Sequence, residues 1–290
     1  MIKDHKIVFC AAATNLMINN YYPVSKLCVK NVCKHNFVDE FMMINAGSTD
    51  DTVNVHNRLS EKVNFIDYPE VWETKNLKGC KNHSMWWDQT SFGARECLDR
   101  AIKGEKIIYI LLGVEDIISD SFAIELEKNI EIMIDKKIDM DIMPWRKAIT
   151  KKMSEIKFSR RGFGNIGHCI LRFDKKDDAL WEGYVSKNRN ITFKHVKRKP
   201  VLKKLNYSSG FTNLDNWFFT KDNFYNKCKN HVEWGYETIE EGFNKKIKSK
   251  ISRASKISYS DFFEKEIIDL IEKNLKEHHL GFDFFKLMKG

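Results

Sequence analysis

The chain has 290 residues, enough for one large domain or a domain with an extension, and its 42% hydrophobic content is that of an ordinary globular protein. Only four prolines and 14 glycines exclude a low-complexity or extensively disordered chain. The formal net charge is +9, carried mostly by lysine. Readers of base sequence lean on arginine forks, so this balance first describes a solvated surface, and second one that attracts an anionic acceptor.

Seven cysteines (Cys10, Cys28, Cys33, Cys80, Cys97, Cys169, Cys228) are scattered, without a C-x-x-C pair. That argues against zinc and for free, buried thiols in a reducing compartment. No window approaches twenty apolar residues, so no transmembrane segment is expected. Residues 1–6 lack a signal-peptide core and lead straight into a strand, which makes the expected location cytoplasmic.

In chain order, Lys6 to Ala13 reads as a buried strand ending in small residues. Tyr22 to Lys34 reads as a helix with Val24, Leu27, Cys28 and Val32 on one face. Phe41 to Ile44 is a second strand, and Thr49 or Asp50 is placed to cap a helix through Leu59. Val63 to Ile66 is a short third strand, Ser91 to Ile102 a helix, and Lys106 to Leu112 a buried strand. Ser119 or Asp120 caps a helix to about Asp135, with Phe122, Leu126, Ile130 and Ile134 at helical spacing. Alternating strands and helices with unalternated apolar strands predict an α/β layer fold with a mostly parallel central sheet flanked by helices. Its ligand side is the edge where the strands end.

The second half reads differently. Met140 to Trp145 and His168 to Phe173 are strand-like, with the basic loop Arg160-Arg161-Gly162-Phe163-Gly164 between them. Trp181 to Tyr184 and Ile191 to Val196 continue the region. Residues 246–290 form a basic and amphipathic helical extension, with Ile267, Leu270, Ile271 and Leu275 on one face of a helix over 261–277. This extension is the candidate surface for a homodimer.

Two blocks carry chemistry. The first is Asn45-Ala46-Gly47-Ser48-Thr49-Asp50-Asp51-Thr52, directly after the strand at 41–44. A glycine turn bearing hydroxyl and carboxylate groups suits either a nucleotide pocket or a plain helix-capping turn. Thr14 and Asn15, after Ala13 at the end of the first strand, are likewise either a cap or base contacts. The second block runs from Trp87-Asp88-Gln89-Thr90-Ser91-Phe92-Gly93-Ala94-Arg95 to Leu112-Gly113-Val114-Glu115-Asp116. There the Arg95 fork suits a diphosphate. Glu115 and Asp116 are either a helix-capping pair or oxygen ligands for a hard divalent cation. His83, His168, His195 and His231 show no metal-ligand spacing.

Together the blocks resemble the family-2-like glycosyltransferases of the GT-A fold. There the first turn reads D-x-G-S-T-D-x-T and the second block reads F-x-x-A-R-N, a helix, a strand and L-D-A-D-E. Gly47, Ser48, Thr49, Asp50, Thr52, Phe92 and Arg95 match. Asn45 stands for the first Asp, Glu96 for Asn, and Gly113 for the first Asp of the third motif.

The resemblance implies a GT-A, Rossmann-like domain over 1–245, with a nucleotide-sugar half (1–120) and an acceptor half (121–245). It implies a nucleotide-diphosphate-sugar donor, UDP by default, bound through Ala13, Thr14, Asn15, Asn45, Gly47, Ser48, Asp50, Arg95, Gly113 and Val114. Mn2+ or Mg2+ would sit on Glu115 and Asp116, and Glu237 would be the base of an inverting transfer. The acceptor would be a glycan or a hydroxylated DNA base of the phage-modification type. The protein would then work in the cytoplasm, at a membrane face, or in a phage-infected host. Two other readings remain open: an inactive, ligand-binding relative, and a nucleotidyltransferase. The latter class usually carries a Gly-rich, basic loop where this chain has Ala11-Ala12-Ala13-Thr14-Asn15.

Overall fold

A computed structural model describes residues 1–17, 21–69, 81–152, 155–158, 169–174, 184–185, 191–192, 201, 203–208 and 210–213. Glu237, the boundary at 245, the extension 246–290 and the Arg160–Gly164 loop lie outside these residues. The elements are β1 (Lys6–Ala12), α1 (Tyr22–Cys33), β2 (Glu40–Asn45), α2 (Thr52–Asn57), β3 (Val63–Asp67) and α3 (Lys81–Ile102). They continue with β4 (Ile107–Leu111), β5 (Asp116–Ile117), α4 (Asp120–Asp135), β6 (Met140–Ile142), β7 (Trp145–Lys152) and β8 (Glu155–Phe158). The last are β9 (Cys169–Phe173), β10 (Tyr184–Val185), β11 (Ile191–Thr192) and β12 (Phe211–Asn213).

The central sheet has the order β3-β2-β1-β4-β9-β6. Strands β1 to β4 pair in parallel, and β9 runs antiparallel between β4 and β6. This is the mostly parallel, Rossmann-like α/β layer that the alternating pattern predicts. The unalternated strands are buried on both faces, as such a sheet requires. Ile7, Phe9 and Ala11 point to the side of α1 and α4, where Cys28, Val29, Val32, Phe122, Leu126 and Ile130 close the core. Val8 and Cys10 point to α3, where Ala94, Cys97 and Ala101 meet Met42, Ile44 and Tyr109. Smaller sheets, β5-β12-β7-β8 and β10-β11, complete the described residues.

Four expectations shift. The strand expected over 140–145 divides, with β6 ending at Ile142 in the central sheet and β7 starting at Trp145 in another. Pro144 between them has no N–H to continue a ladder. Helix α2 starts at Thr52 rather than at Thr49 or Asp50, because the intervening residues are spent on a turn described below. It ends at Asn57, short of Leu59. Helix α3 begins at Lys81, ten residues before the expected Ser91. Ser119 does cap α4, its Oγ accepting from Phe122 N at 3.1 Å.

The far end of the sheet is closed by charges. Arg100 bonds Glu40 at 3.0 Å and Glu105 at 2.9 Å, and Lys6 reaches the same Glu40 at 3.0 Å. Buried Arg172 donates to Asp139 at 3.1 Å and to the Ile138 carbonyl at 3.0 Å, and also pairs with Asp174. Asp141, almost fully buried, accepts from Leu205 N at 3.0 Å and Tyr207 Oη at 2.5 Å, which straps the 203–208 segment to β6. Cys10, Cys28, Cys33, Cys97 and Cys169 are free and buried, as expected. Among the described residues no helix is long and apolar enough to cross a membrane.

Gly93 sets the spacing of α3 from the sheet. A Cβ there would lie 2.6 Å from Cys10 Sγ and 3.3 Å from Ile44 Cδ1. Alanine is normally about 1 kcal/mol better than glycine inside a helix, whereas overpacking costs about 1–3 kcal/mol. Gly93→Ala is therefore expected to destabilise by about 1 kcal/mol, read from a denaturant midpoint. Adding Cys10→Ala should recover part of the loss, a coupling between touching sites. A Gly93→Ala protein more stable than the parent would show that the helix stands further off.

Candidate functional site

Helix α1 connects β1 to β2 on one face, and α3 connects β3 to β4 on the other. The chain thus departs from β1 in both directions, and the crevice at that switch point lies where β1 and β4 end. The ends are Ala13-Thr14-Asn15 and Leu112-Gly113-Val114, with Asn45-Ala46-Gly47-Ser48 after β2 beside them.

The turns after β1 and β2 are laced together. Asn15 N donates to Ser48 Oγ at 3.0 Å, Leu16 N to Thr52 Oγ1 at 2.9 Å, and Met17 N to Asp50 Oδ2 at 2.9 Å. In return, Ala46 N donates to Thr14 Oγ1 at 2.9 Å and Thr49 N to Asn15 Oδ1 at 2.8 Å. Gly47 and Asn15 both sit in the left-handed region, with φ of 69° and 53°. A glycine reaches it freely, and asparagine is among the side chains that tolerate it best. Asp50 Oδ1 also accepts from Thr52 N at 3.0 Å, which starts α2. Asn45 Oδ1 takes both Ser48 N (3.0 Å) and Ser48 Oγ (2.6 Å), and its Nδ2 donates to Asp67 Oδ1 at 2.8 Å.

So Ser48, Asp50 and Thr52 hold one loop against another. Three backbone donors that a ligand would otherwise use are already satisfied. Beneath the turn, His56 and Ser25 are fully buried. The Thr52 carbonyl can only accept, so His56 Nδ1 donates to it (2.7 Å) and Nε2 accepts from Ser25 Oγ (2.7 Å). Burial pushes the His56 pKa below its ordinary value, and the Thr52 bond opposes this. This Ser–His pair is sealed and joins α1 to α2; it is no exposed nucleophile.

The turn after β4 folds on its own carboxylate. Asp116 Oδ2 accepts from Gly113 N at 2.6 Å, Asp116 N donates to Gly113 O at 3.1 Å, and Asp116 Oδ1 accepts from Asn213 Nδ2 at 2.8 Å. Asp116 is 1% exposed, and Glu115 is half-buried. A Cβ at Gly113 would meet Glu115 Oε2 at 2.9 Å and Asp116 Oδ2 at 3.0 Å. Burial drives the Cys28 thiol pKa well up, and the charges of Asp116 and Glu115 add to it.

Asp116 and Glu115, expected to share one divalent cation, stand differently in this turn: Asp116 is hydrogen-bonded inside it and Glu115 is half-buried beside it. Each Asp116 oxygen accepts a hydrogen bond inside the fold, and a carboxylate has about four lone-pair sites in all. Among the described residues no three His, Cys, Asp or Glu gather as a metal site.

Thr14, Asn15, Asn45, Gly47, Ser48, Asp50, Gly113, Val114 and Glu115 thus come together along one edge, with Ala13 buried below. Arg95 does not join them. It follows sheet-facing Gly93 by two residues, about 200° round the helix, and is exposed. Sequence reasoning missed Gln89. It is fully buried, and its Nε2 donates to Thr14 Oγ1 at 3.2 Å. The signal was the stripe Gln89, Gly93, Cys97, Ala101, four residues apart on the sheet-facing side of α3.

Helix α3 also gives the crevice a wall. Gly93 lies against Cys10, and Gln89 lies against Thr14. The eight helical residues before Gln89 therefore rise about 12 Å beyond the edge of the sheet.

No protein-family model and no curated protein sequence matches the chain. Solved structures do. S. aureus TarS aligns at 14% identity and a TM-score of 0.44, over 77% of this chain and 38% of that one. Its 1–349 segment in complex with UDP-GlcNAc aligns at 12% identity and 0.42, over 79% and 66%. The 4-diphosphocytidyl-2C-methyl-D-erythritol synthase of Anaerococcus prevotii aligns at 14% and 0.39, over 79% and 98%. The mannosyltransferase PcManGT of Pyrobaculum calidifontis, in complex with GDP-Man and Mn2+, aligns at 10% and 0.27, over 51% and 36%. The chain spans well under half the length of full TarS. All four TM-scores lie under 0.5, and these likenesses carry no argument about the family or activity of this chain.

Proposed function

We propose that the protein is a glycosyltransferase that moves a sugar from a nucleoside-diphosphate sugar, UDP-linked by default, to a hydroxyl acceptor with inversion. The observation that carries this reading is the crevice at the β1/β4 switch point. It is floored by two mutually laced turns and flanked by the Gly113–Asp116 turn. Such a rigid polar edge is where an open α/β sheet holds a nucleotide.

Transfer requires stabilisation of the departing diphosphate and a base for the acceptor hydroxyl. Glu237, outside the described residues, is the proposed base. Thr14, Asn15, Asn45 and the Gly47–Ser48 turn line the nucleoside side, and Gly113, Val114 and Glu115 the sugar-diphosphate side. Asp116 positions that second turn. The acceptor is a glycan or a hydroxylated base in DNA, to which a +9 chain is drawn.

Calorimetric titration with UDP, GDP, CDP and dTDP, each with and without manganese, tests the assignment. Expected is preferential binding of one nucleotide, abolished by a bulky Gly47→Val substitution at a positive-φ turn residue. Absence of binding to all four would remove the donor site. One observation favours a second reading, a nucleotide-sugar binding protein without turnover: position 113, where the resembling family carries the first Asp of its third motif, is a glycine. That reading predicts the same titrations with no release of sugar from the donor.

A further inference from the structure

We propose that strands β7 and β8 form a basic arm that docks on the phosphate backbone of duplex DNA and holds it at the crevice. The docking stands on its own; that the DNA is there as the acceptor rests on the reading above.

Strands β7 and β8 are an antiparallel pair at one end of the sheet β5-β12-β7-β8, with β8 outermost. Strand β12 pairs with β7 only over Trp145–Lys147. From Ala148 to Lys152, β7 pairs with β8 alone among the described residues. Five residues at about 3.4 Å each make this two-stranded part about 17 Å long. A bulge between Thr150 and Lys152 adds to its twist.

The arm starts at the site. Asn213 of β12 is in register with Asp116 on one side and with Lys147 on the other. Lys147 thus stands two strand spacings, about 10 Å, from Asp116. Strand β12 runs parallel to β7 and antiparallel to β5, so β7 travels in the sense from Ile117 to Asp116. Its free part therefore continues past the Gly113–Glu115 turn.

Charge is concentrated on this arm. Residues 145–158 hold five basic side chains (Arg146, Lys147, Lys151, Lys152 and Lys157) and one acidic, Glu155, which supplies four of the nine excess positive charges of the chain. Lysines that merely guard a sheet edge belong on the outermost strand. Here four of the five basic residues are on β7, and one is on β8. A projecting element charged in this way draws a polyanion.

The shape selects which one. A two-stranded ribbon fits the major groove of B-DNA, which is roughly 12 Å wide. A groove takes in both strands of such an arm, where a flat membrane face would meet one side of it. Lysine meets phosphate as a point charge and positions the duplex without reading its bases. A hydroxyl carried on the pyrimidine 5-carbon, where thymine has its methyl, would face the same groove.

The test is fluorescence anisotropy of a labelled duplex of about 20 base pairs, titrated with the full chain at roughly 50–200 mM salt. Two triple variants are compared. One is Lys147→Gln/Lys151→Gln/Lys157→Gln on the arm. The other is Lys30→Gln/Lys103→Gln/Lys136→Gln, which removes the same charge from exposed positions on α1, after α3 and after α4. Each phosphate contact steepens the fall of log affinity with log salt by about 0.9. The arm variant should therefore flatten that slope by about 2–3 and bind at least about tenfold more weakly at low salt, with its thermal melt unchanged. The control variant should stay within about threefold of the parent. Equal losses in the two variants, a parent that does not bind the duplex, or tighter binding to anionic phospholipid vesicles than to the duplex overturns the docking. Duplex binding that depends on the arm, in a protein that binds no nucleoside diphosphate, upholds the docking and removes the transferase reading alone.

Discussion

Replacing Asp116 by alanine is expected to destabilise the protein by about 2–6 kcal/mol, because two buried donors each lose an acceptor at about 1–3 kcal/mol. These are the Gly113 amide and the Asn213 carboxamide. For a chain of this size that corresponds to a melting temperature lower by roughly 5–20 °C. Nucleotide binding should weaken with it, since the turn after β4 loses the bond that shapes it. Glu115→Gln is the contrasting variant. Glu115 is half-buried, so its loss should leave the melting temperature within about 2 °C while changing affinity for the donor. Thermal melts and calorimetry on both variants decide the matter. An Asp116→Ala protein that melts with the parent would show that the carboxylate is no bracket.

A second large effect is expected from Gly210→Ala, far from Asp116 in sequence. A Cβ at 210 would stand 2.3 Å from the Pro144 carbonyl oxygen, a backbone atom with no rotamer to escape through. The same oxygen accepts from Phe211 N at 3.1 Å, and Phe211 packs edge to face on Phe122 at 5.1 Å. Moving the strand aside loses that bond and loosens a fully buried ring, so a cost of about 2–4 kcal/mol is expected. Strand β12 also delivers Asn213 to Asp116. Gly210→Ala should therefore weaken nucleotide binding in the way Asp116→Ala does, and the double variant should fall short of the sum. A Gly210→Ala protein with parental stability would mean that β12 has room to shift.

Most of the layer was legible because its signals are local. Buried unalternated runs marked β1, β2 and β4, and Ser119 marked the start of α4. The start of α3 was misplaced because Ser91 is a good cap residue. Yet the stretch before it holds no proline, and no glycine between Gly79 and Gly93 interrupts the helix. The site was legible in outline only. The turns at Thr14, Gly47 and Gly113 announce themselves by composition. That Asp50 and Thr52 spend their oxygens on Leu16 and Met17, or that Asp116 answers to Asn213 across 97 positions, depends on contacts no window of sequence contains. Arg95 stands apart from that edge for a simpler reason. Gly93 must face the sheet, and helical geometry then turns Arg95 away.

The wall above the sheet is helix rather than loop, and this bears on the entropy of binding. Residues 81–88 belong to the same rod that Gly93, Cys97 and Ala101 pin to the core. Fixing a residue's backbone costs about 1–2 kcal/mol, so eight of them represent on the order of 10 kcal/mol of ordering. Folding has already met that cost. A ligand that settles against this wall spends its contact energy on affinity and on discrimination, and none of it on assembling the surface it touches.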